Sequence, residues 1–241
     1  MQAVSIDELA LAEDSDPWTA CGFALTDHAC QIGAVRVRFT DPGAGPGAAQ
    51  AARGLVGWSL RGIDSAQLDG LPTTISHSPL PAAAPAHPNG VLAIDHVVAI
   101  SPAFERSVAA LRRAGLELRR VREQPTPAGA PRQAFFRLGR EILELVEEPD
   151  RVARGAGGPQ RPAHFWGLAL LAEDLERAAA SFAPHVSEIR AAVQPGRRIA
   201  TVRRSAGFGV PLALISRESA SEARREAVEE SLASTSGKGR A

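Results

Sequence analysis

The sequence predicts an α+β fold assembled from repeated βαβββ modules, and three observations carry that expectation. A continuous apolar run over 92–100 leads into an amphipathic helix and then into alternating segments that end at 141–146. The same order returns over 163–216, and again in a more worn form near the N-terminus. A proline-rich stretch separates the worn copy from the clear ones. Self-similarity at a period of roughly 70–90 residues means that one supersecondary unit builds the chain.

The worn module is assigned to 1–70. Its opening strand, Ile6-Asp-Glu8-Leu-Ala-Leu11, mirrors Ile94-Asp-His96-Val-Val-Ala99. A short helix at 16–20 follows, then strands at 29–32, 34–39 and 54–60, with a Gly/Pro loop at 41–47. Residues 71–90 hold five prolines and no periodic apolar face. Proline removes backbone donors and restricts the residue before it, so this segment is expected to be an extended linker. His77 and His87 fall within it and are expected to be exposed.

The middle module spans 91–150. Its helix puts Phe104, Val108 and Leu111 on one face, at spacings of four and three. Gly115 stops it, since a C′ glycine takes the left-handed conformation freely. A half-buried strand at 116–121, a turn at 125–131 and a hairpin of 133–138 with 140–146 about Gly139 complete it. The last module spans 162–217: an apolar strand at 165–171, a helix led by Glu173 and Asp174, and strands at 186–193, 199–203 and 210–215. Residues 218–241 are charged, then small and polar, and are expected to form a short exposed helix and a disordered tail.

The bulk composition excludes several function classes. Lys+Arg and Asp+Glu each number 27, so the net charge is zero, and no basic stripe stands out; nucleic acid and anionic membrane surfaces are not expected partners. No apolar run approaches the ~20 residues of a membrane span. The acidic N-terminus lacks the basic and apolar regions of a secretory signal. Cys21 and Cys30 fit neither a disulfide framework nor a CxxC knuckle, so reduced cysteines in a cytoplasmic protein are expected.

With these elements in place, the chain resembles the vicinal oxygen chelate superfamily, the glyoxalase, bleomycin-resistance and extradiol dioxygenase group. The resemblance rests on Ala93-Ile-Asp-His96-Val-Val, on the helix running to Ala114-Gly115-Leu116, on Glu141-Ile-Leu-Glu144-Leu-Val146, and on Phe165-Trp-Gly167-Leu-Ala-Leu with Glu173-Asp174-Leu175. It covers 92–216 most clearly and extends to 1–64. It implies paired modules curling into a half-open barrel around a small-molecule pocket. It also implies a divalent metal (Fe, Mn, Ni or Zn) held by one residue on the first and one on the last strand of each module. The matching positions are His96 and Glu144 in the middle module and Gly167 and Ala213 in the last. In the first module they are Glu8 and about Ser59. Gly167 and Ala213 carry no donor, so half of the usual site is missing.

Three readings of the pair stay open. His96 and Glu144 are two metal ligands, with Glu8 as the third if the first module folds back, or His164 if a strand slips register. They are an ion pair or hydrogen bond left from an ancestral site, since a His and a Glu among apolar neighbours are costly unless paired. Or one of them is a general base without metal. Trp166, Phe136 and Phe135 lie on strands that would line the pocket. Arg203, with Arg197 nearby, would bind a substrate carboxylate if it pointed inward. The resulting expectation is a glyoxalase-like protein acting on a small organic molecule with a metal. The alternative is a metal-free protein that binds or sequesters one. Three modules cannot all pair within one chain, so the first is expected to cap the barrel or to pair in a homodimer.

Overall fold

The computed structural model describes residues 3–41, 53–81, 84–126, 129–155 and 157–218. The expected Gly/Pro loop beyond residue 41 and the C-terminal segment beyond 218 lie outside them. The first module comprises β1 (Ser5–Ala12), α1 (Asp16–Ala20), β2 (Leu25–Thr26), β3 (Ala29–Ile32) and β4 (Val35–Thr40). Then come β5 (Gly54–Arg61) and β6 (Thr73–Ile75). The middle module holds β7 (Val91–Ser101), α2 (Phe104–Arg113), β8 (Glu117–Arg122), β9 (Gln133–Leu138) and β10 (Glu141–Glu147), and α3 (Asp150–Gly155) follows it. The last holds β11 (His164–Ala172), α4 (Leu175–Ser181), β12 (Arg190–Ala191), β13 (Arg198–Thr201) and β14 (Leu212–Ser216).

These strands make two sheets. The six-stranded one has the order β2-β3-β4-β1-β5-β6 and the eight-stranded one β12-β13-β14-β11-β7-β10-β9-β8. Each module returns its last strand parallel to its first, as β4 lies beside β1, β10 beside β7 and β14 beside β11. The sheets are curved and open, not closed into a barrel.

The first module is complete by Thr40, so β5 is not its last strand. β5 runs antiparallel to β1 as β11 runs antiparallel to β7, and β6 lies parallel to β5 as β14 lies parallel to β11. β5 and β6 are therefore the first and last strands of a fourth, truncated module. This resolves the odd count of three: the first module finds its neighbour within the chain, neither capping a barrel nor requiring a second copy. The proline-rich segment is also more ordered than its composition suggests. Thr73–Ile75 pairs with β5, and His87 is buried, 5% exposed. Its Nδ1 accepts from the Ala24 amide (3.1 Å), and its Nε2 donates to the Gln31 carbonyl (3.0 Å). Burial holds this imidazole below the usual histidine range, which suits a neutral ring with one donor and one acceptor nitrogen.

Apolar alternation decides what faces inward. Ile6, Leu9 and Leu11 of β1, with Val97, Ala99, Leu143 and Leu145 of the larger sheet, join one core. Trp58 of β5 meets Phe165 of β11 edge to face at 5.0 Å, so the core runs between the sheets. The expected α2 face is buried as Phe104, Val108 and Leu111, each contributing about 1.5–3 kcal/mol. Gly115 ends that helix with φ +95°. Asp174 caps α4, accepting from the Arg177 amide at 2.9 Å. The expected strand at 186–193 shrinks to Arg190–Ala191 and one bridge between Val186 and Val202.

Candidate functional site

The site begins with a bulge. Ala169 of β11 faces His96, but Leu170 faces Ile94, so Asp95 is an extra residue in β7. Residues directly opposite share a face. Ile94 therefore turns into the core with Leu170, 2% exposed, while His96 stays on the open face with Ala169. Simple alternation would have left Ile94 beside His96; the bulge separates them. Glu144 lies two residues beyond Ile142, the partner of His96 on β10, and so shares its face.

A chain of polar contacts crosses this face. Arg122 Nη1 donates to Gln133 Oε1 (3.3 Å), and the Gln133 amide donates to Glu144 Oε1. Glu144 Oε2 lies 3.4 Å from His96 Nε2. His96 Nδ1 lies 2.8 Å from Asp95 Oδ2, and Arg197 Nη2 donates to Asp95 Oδ1 at 2.5 Å. Asp95, His96 and Glu144 side chains are 17%, 20% and 15% exposed, sheltered yet within reach of solvent. Burial alone would raise the Asp95 carboxyl. Hydrogen bonds and charge from His96 and Arg197 together outweigh it and hold it below the usual aspartate range. An ionised Asp95 is an acceptor for Nδ1–H and leaves Nε2 facing Glu144. The 3.4 Å gap to Glu144 exceeds a good hydrogen bond, so that contact is loose.

The other half of the face carries no donor side chain, and Gly167 and Ala169 are buried there. Gly167 faces Val98, and Ala213 faces Ala169. A Cβ at Gly167 would lie 2.9 Å from the Pro211 carbonyl oxygen, so close approach of the chain excludes a side chain there.

The structure repeats this arrangement in the smaller sheet. The register of β1 against β5 slips at Asp7 as that of β7 slips at Asp95. Glu8 thus takes the place of His96. Its counterpart across the last strand is Arg38, two beyond Arg36, rather than Ser59, which lies on β5. Arg38 Nε donates to Glu8 Oε1 at 2.8 Å, and Arg36 stands 3.6 Å from the other oxygen. Glu8 is committed to these arginines in its own sheet and does not join His96 and Glu144.

The remaining expected residues divide. Trp166 is the extra residue of a second bulge in β11, half exposed beside Gly167. Phe136 is fully buried on the core face, so it lines no pocket; its neighbour Phe135 lies on the open face, opposite Glu144, with the Arg120 guanidinium 4.6 Å above its ring. Arg203 is exposed beyond β13 and donates to the Pro184 carbonyl (3.3 Å), away from the face. His164 pairs with Ile100, four residues along β7 from His96, which is roughly 13 Å at strand rise. Asp95, Gln133 and Arg197 join His96 and Glu144 only in the structure. The repeated Ile-Asp-X of β1 and β7 is the one sequence signal from which Asp95 could be found.

The donor set falls short of a resident metal centre. His96 and Glu144 are two donors, the facing positions are Gly167 and Ala213, and no group of three His, Cys, Asp or Glu able to hold an ion exists among the described residues. A cleft of about 800 Å³ lies at the N-terminal end of β7, where it touches Asp95 and Arg197 but neither His96 nor Glu144.

No family model and no curated protein matches the chain. Among solved structures it superposes on a xylose isomerase-like TIM barrel/4-hydroxyphenylpyruvate dioxygenase fusion protein. The TM-score is 0.58 at 13% identity, over 90% of this chain and 50% of that one. The fold is that of the vicinal oxygen chelate proteins. The chain spans half the length of that fusion protein. Weaker likenesses are to methylmalonyl-CoA epimerase from Mycobacterium tuberculosis (TM-score 0.43, 17% identity, 53% of this chain and 89% of that one) and to the Streptomyces coelicolor enzyme in complex with 2-nitronate-propionyl-CoA (0.43, 20%, 52% and 94%). The fold assignment rests on the first of these. Among the described residues no helix is long and apolar enough to cross a membrane, and both cysteines are free.

Proposed function

We propose that the open face of the eight-stranded sheet binds a small organic molecule, held by His96 and Glu144, without a resident metal. The observation that supports this most is the division of the face. One half carries a polar chain ending in a loosely paired His and Glu, and the other half carries Gly167, Ala169 and Ala213. A ligand with an apolar body and one ionisable oxygen matches both halves. Two free thiols suit a reducing compartment, and we place the protein in the cytoplasm.

The Asp95–His96 contact favours a further reading, proton transfer at Nε2. A carboxylate fixed on Nδ1 orients the ring, as in catalytic acid–base pairs. The reaction class would be proton abstraction or return next to a carbonyl or hydroxyl.

The test combines plasma mass spectrometry with a thermal-shift screen of dicarbonyls, thiol adducts and catechols, run with and without chelator. We expect no stoichiometric divalent ion and ligand stabilisation that chelator does not remove. His96→Ala and Glu144→Ala should abolish it, and Glu8→Ala should keep it. A near-stoichiometric metal lost in both His96→Ala and Glu144→Ala would replace this reading with a chelate site.

A further inference from the structure

The cleft at the N-terminal end of β7 opens where the β3–β4 turn of the smaller sheet, Gly33 and Ala34, meets the larger one. Leu92, Ile94 and Leu171 give it an apolar floor. Its charges are unevenly committed. Arg197, with a side chain 9% exposed, is spent on Asp95, and Asp95 is satisfied in turn by Arg197 and by its contact with His96 Nδ1. Glu141 is buried at 2% exposure, and burial pushes its carboxyl up toward the neutral form. Arg140 and Arg217 stand exposed at the mouth beside Glu218, and no ion pair holds either arginine among the described residues. The balance is a cationic mouth above an apolar floor, in a volume within the range of small-molecule sites.

We infer that this cleft is a second ligand site, separate from His96 and Glu144, for a small carboxylate with an apolar body. The carboxylate lies between the Arg140 and Arg217 guanidiniums, whose forked donors match its two oxygens. The body covers Leu92 and Leu171, which are only partly buried at the end of the strand pair, over the buried Ile94. The inference does not depend on the proposed role of His96.

Isothermal titration of the full chain with octanoate, 3-phenylpropanoate and the neutral octanamide tests it. The expected result is saturable binding of one carboxylate per chain, with octanamide at least tenfold weaker. Arg140→Ala/Arg217→Ala should weaken carboxylate binding at least tenfold, while Glu144→Ala, on the open face and out of contact with the cleft, leaves it within about twofold. Both arginines are exposed, so the double variant should keep its circular dichroism and melting temperature. The absence of saturable binding, equal affinity for octanamide, or retained affinity in the double arginine variant overturns the inference. So does a loss of more than twofold in Glu144→Ala, which would move the carboxylate to the open face.

Discussion

In the six-stranded sheet the residue after the bulged aspartate is Glu8, and Arg38 answers it from the last strand. In the eight-stranded sheet the same positions hold His96 and Glu144. The backbones agree down to the bulges: Asp7 and Asp95 on the first strands, Val56 and Trp166 on the strands beside them. Each bulged aspartate is gripped by a buried arginine, Arg61 in one sheet and Arg197 in the other. What differs is the kind of charge. Glutamate against arginine is a pair of fixed opposite charges that satisfy each other, because a guanidinium does not lose its proton in proteins. Imidazole against carboxylate is a looser contact, 3.4 Å against 2.8 Å, between groups that are not both fixed charges. The same scaffold therefore holds one tightly satisfied pair and one loosely satisfied pair, and a single side chain on each of two strands decides which.

The sharpest way to break this comparison is to remove the gripping arginines. Arg61 donates to Asp7 and to the carbonyls of Ile6, Ser78 and Pro79, with 2% of its side chain exposed. Arg61→Ala leaves three carbonyl acceptors unpaired and takes the opposing charge from Asp7, which keeps the Ser76 and Ser59 hydroxyls, and should cost about 3–5 kcal/mol in chemical denaturation. Arg197→Ala should cost about 1–3 kcal/mol, because it frees one carbonyl, that of Ser216, where Arg61 holds three, and Asp95 keeps its contact with His96. Equal losses would mean that the two grips do the same structural job.

The bare half of each face separates next. A Cβ at Gly167 meets the Pro211 oxygen at 2.9 Å, whereas one at Gly57, its counterpart on β5, meets the Pro72 oxygen at 3.4 Å. Gly167→Ala should lose about 1–3 kcal/mol and Gly57→Ala less than about 1, read from melting curves. The opposite order would remove the steric account of why the larger sheet lacks a ligand there.

pH provides a third contrast. Glu13, just past β1, corresponds to Ser101 at the end of β7. Trp18 Nε1 donates to Glu13 Oε1 at 2.7 Å, but burial dominates and pushes the carboxyl up to about 6. A raised carboxyl favours the folded state at low pH. Its cost appears as pH rises from about 4.5 through 6 and reaches about 2 kcal/mol above that. Glu13→Gln should become the more stable protein at pH 8 and lose that advantage at pH 4. Parallel stability curves for the two proteins would show that Glu13 is not the cause. The smallest effect belongs to Glu8→Ala: its arginine partners are about half exposed, so under about 1 kcal/mol is expected, with no loss of ligand stabilisation.

Much of the fold was legible because it rests on local patterns. The apolar face of α2, the stop at Gly115, the hairpin at Gly139 and the repeat of the middle and last modules are short-range signals, and all four stand in the structure. The truncated module was not legible. Without a helix or middle strands between β5 and β6 it has no repeat to detect, and its last strand is three residues inside a proline-rich segment. At the site, the Ile-Asp-His and Ile-Leu-Glu motifs gave His96 and Glu144. Phe135 and Phe136 are not distinguished by the sequence, because which of two adjacent aromatic residues faces out depends on strand register, and register is set across the sheet.

By itself the sequence determined the module type, its elements and the two titratable residues on the first and last strands of the middle module. These follow from periodicity, turn chemistry and residue identity, each complete within a few positions. The tertiary structure decided how the modules pair, that Glu8 is spent on Arg38, that Asp95 steers His96, and that no side chain fits at 167. Each of these depends on a cross-strand register or a close approach between segments far apart in the chain. A bulge of one residue changes which side chains meet, and that shift is fixed only when the neighbouring strand is in place.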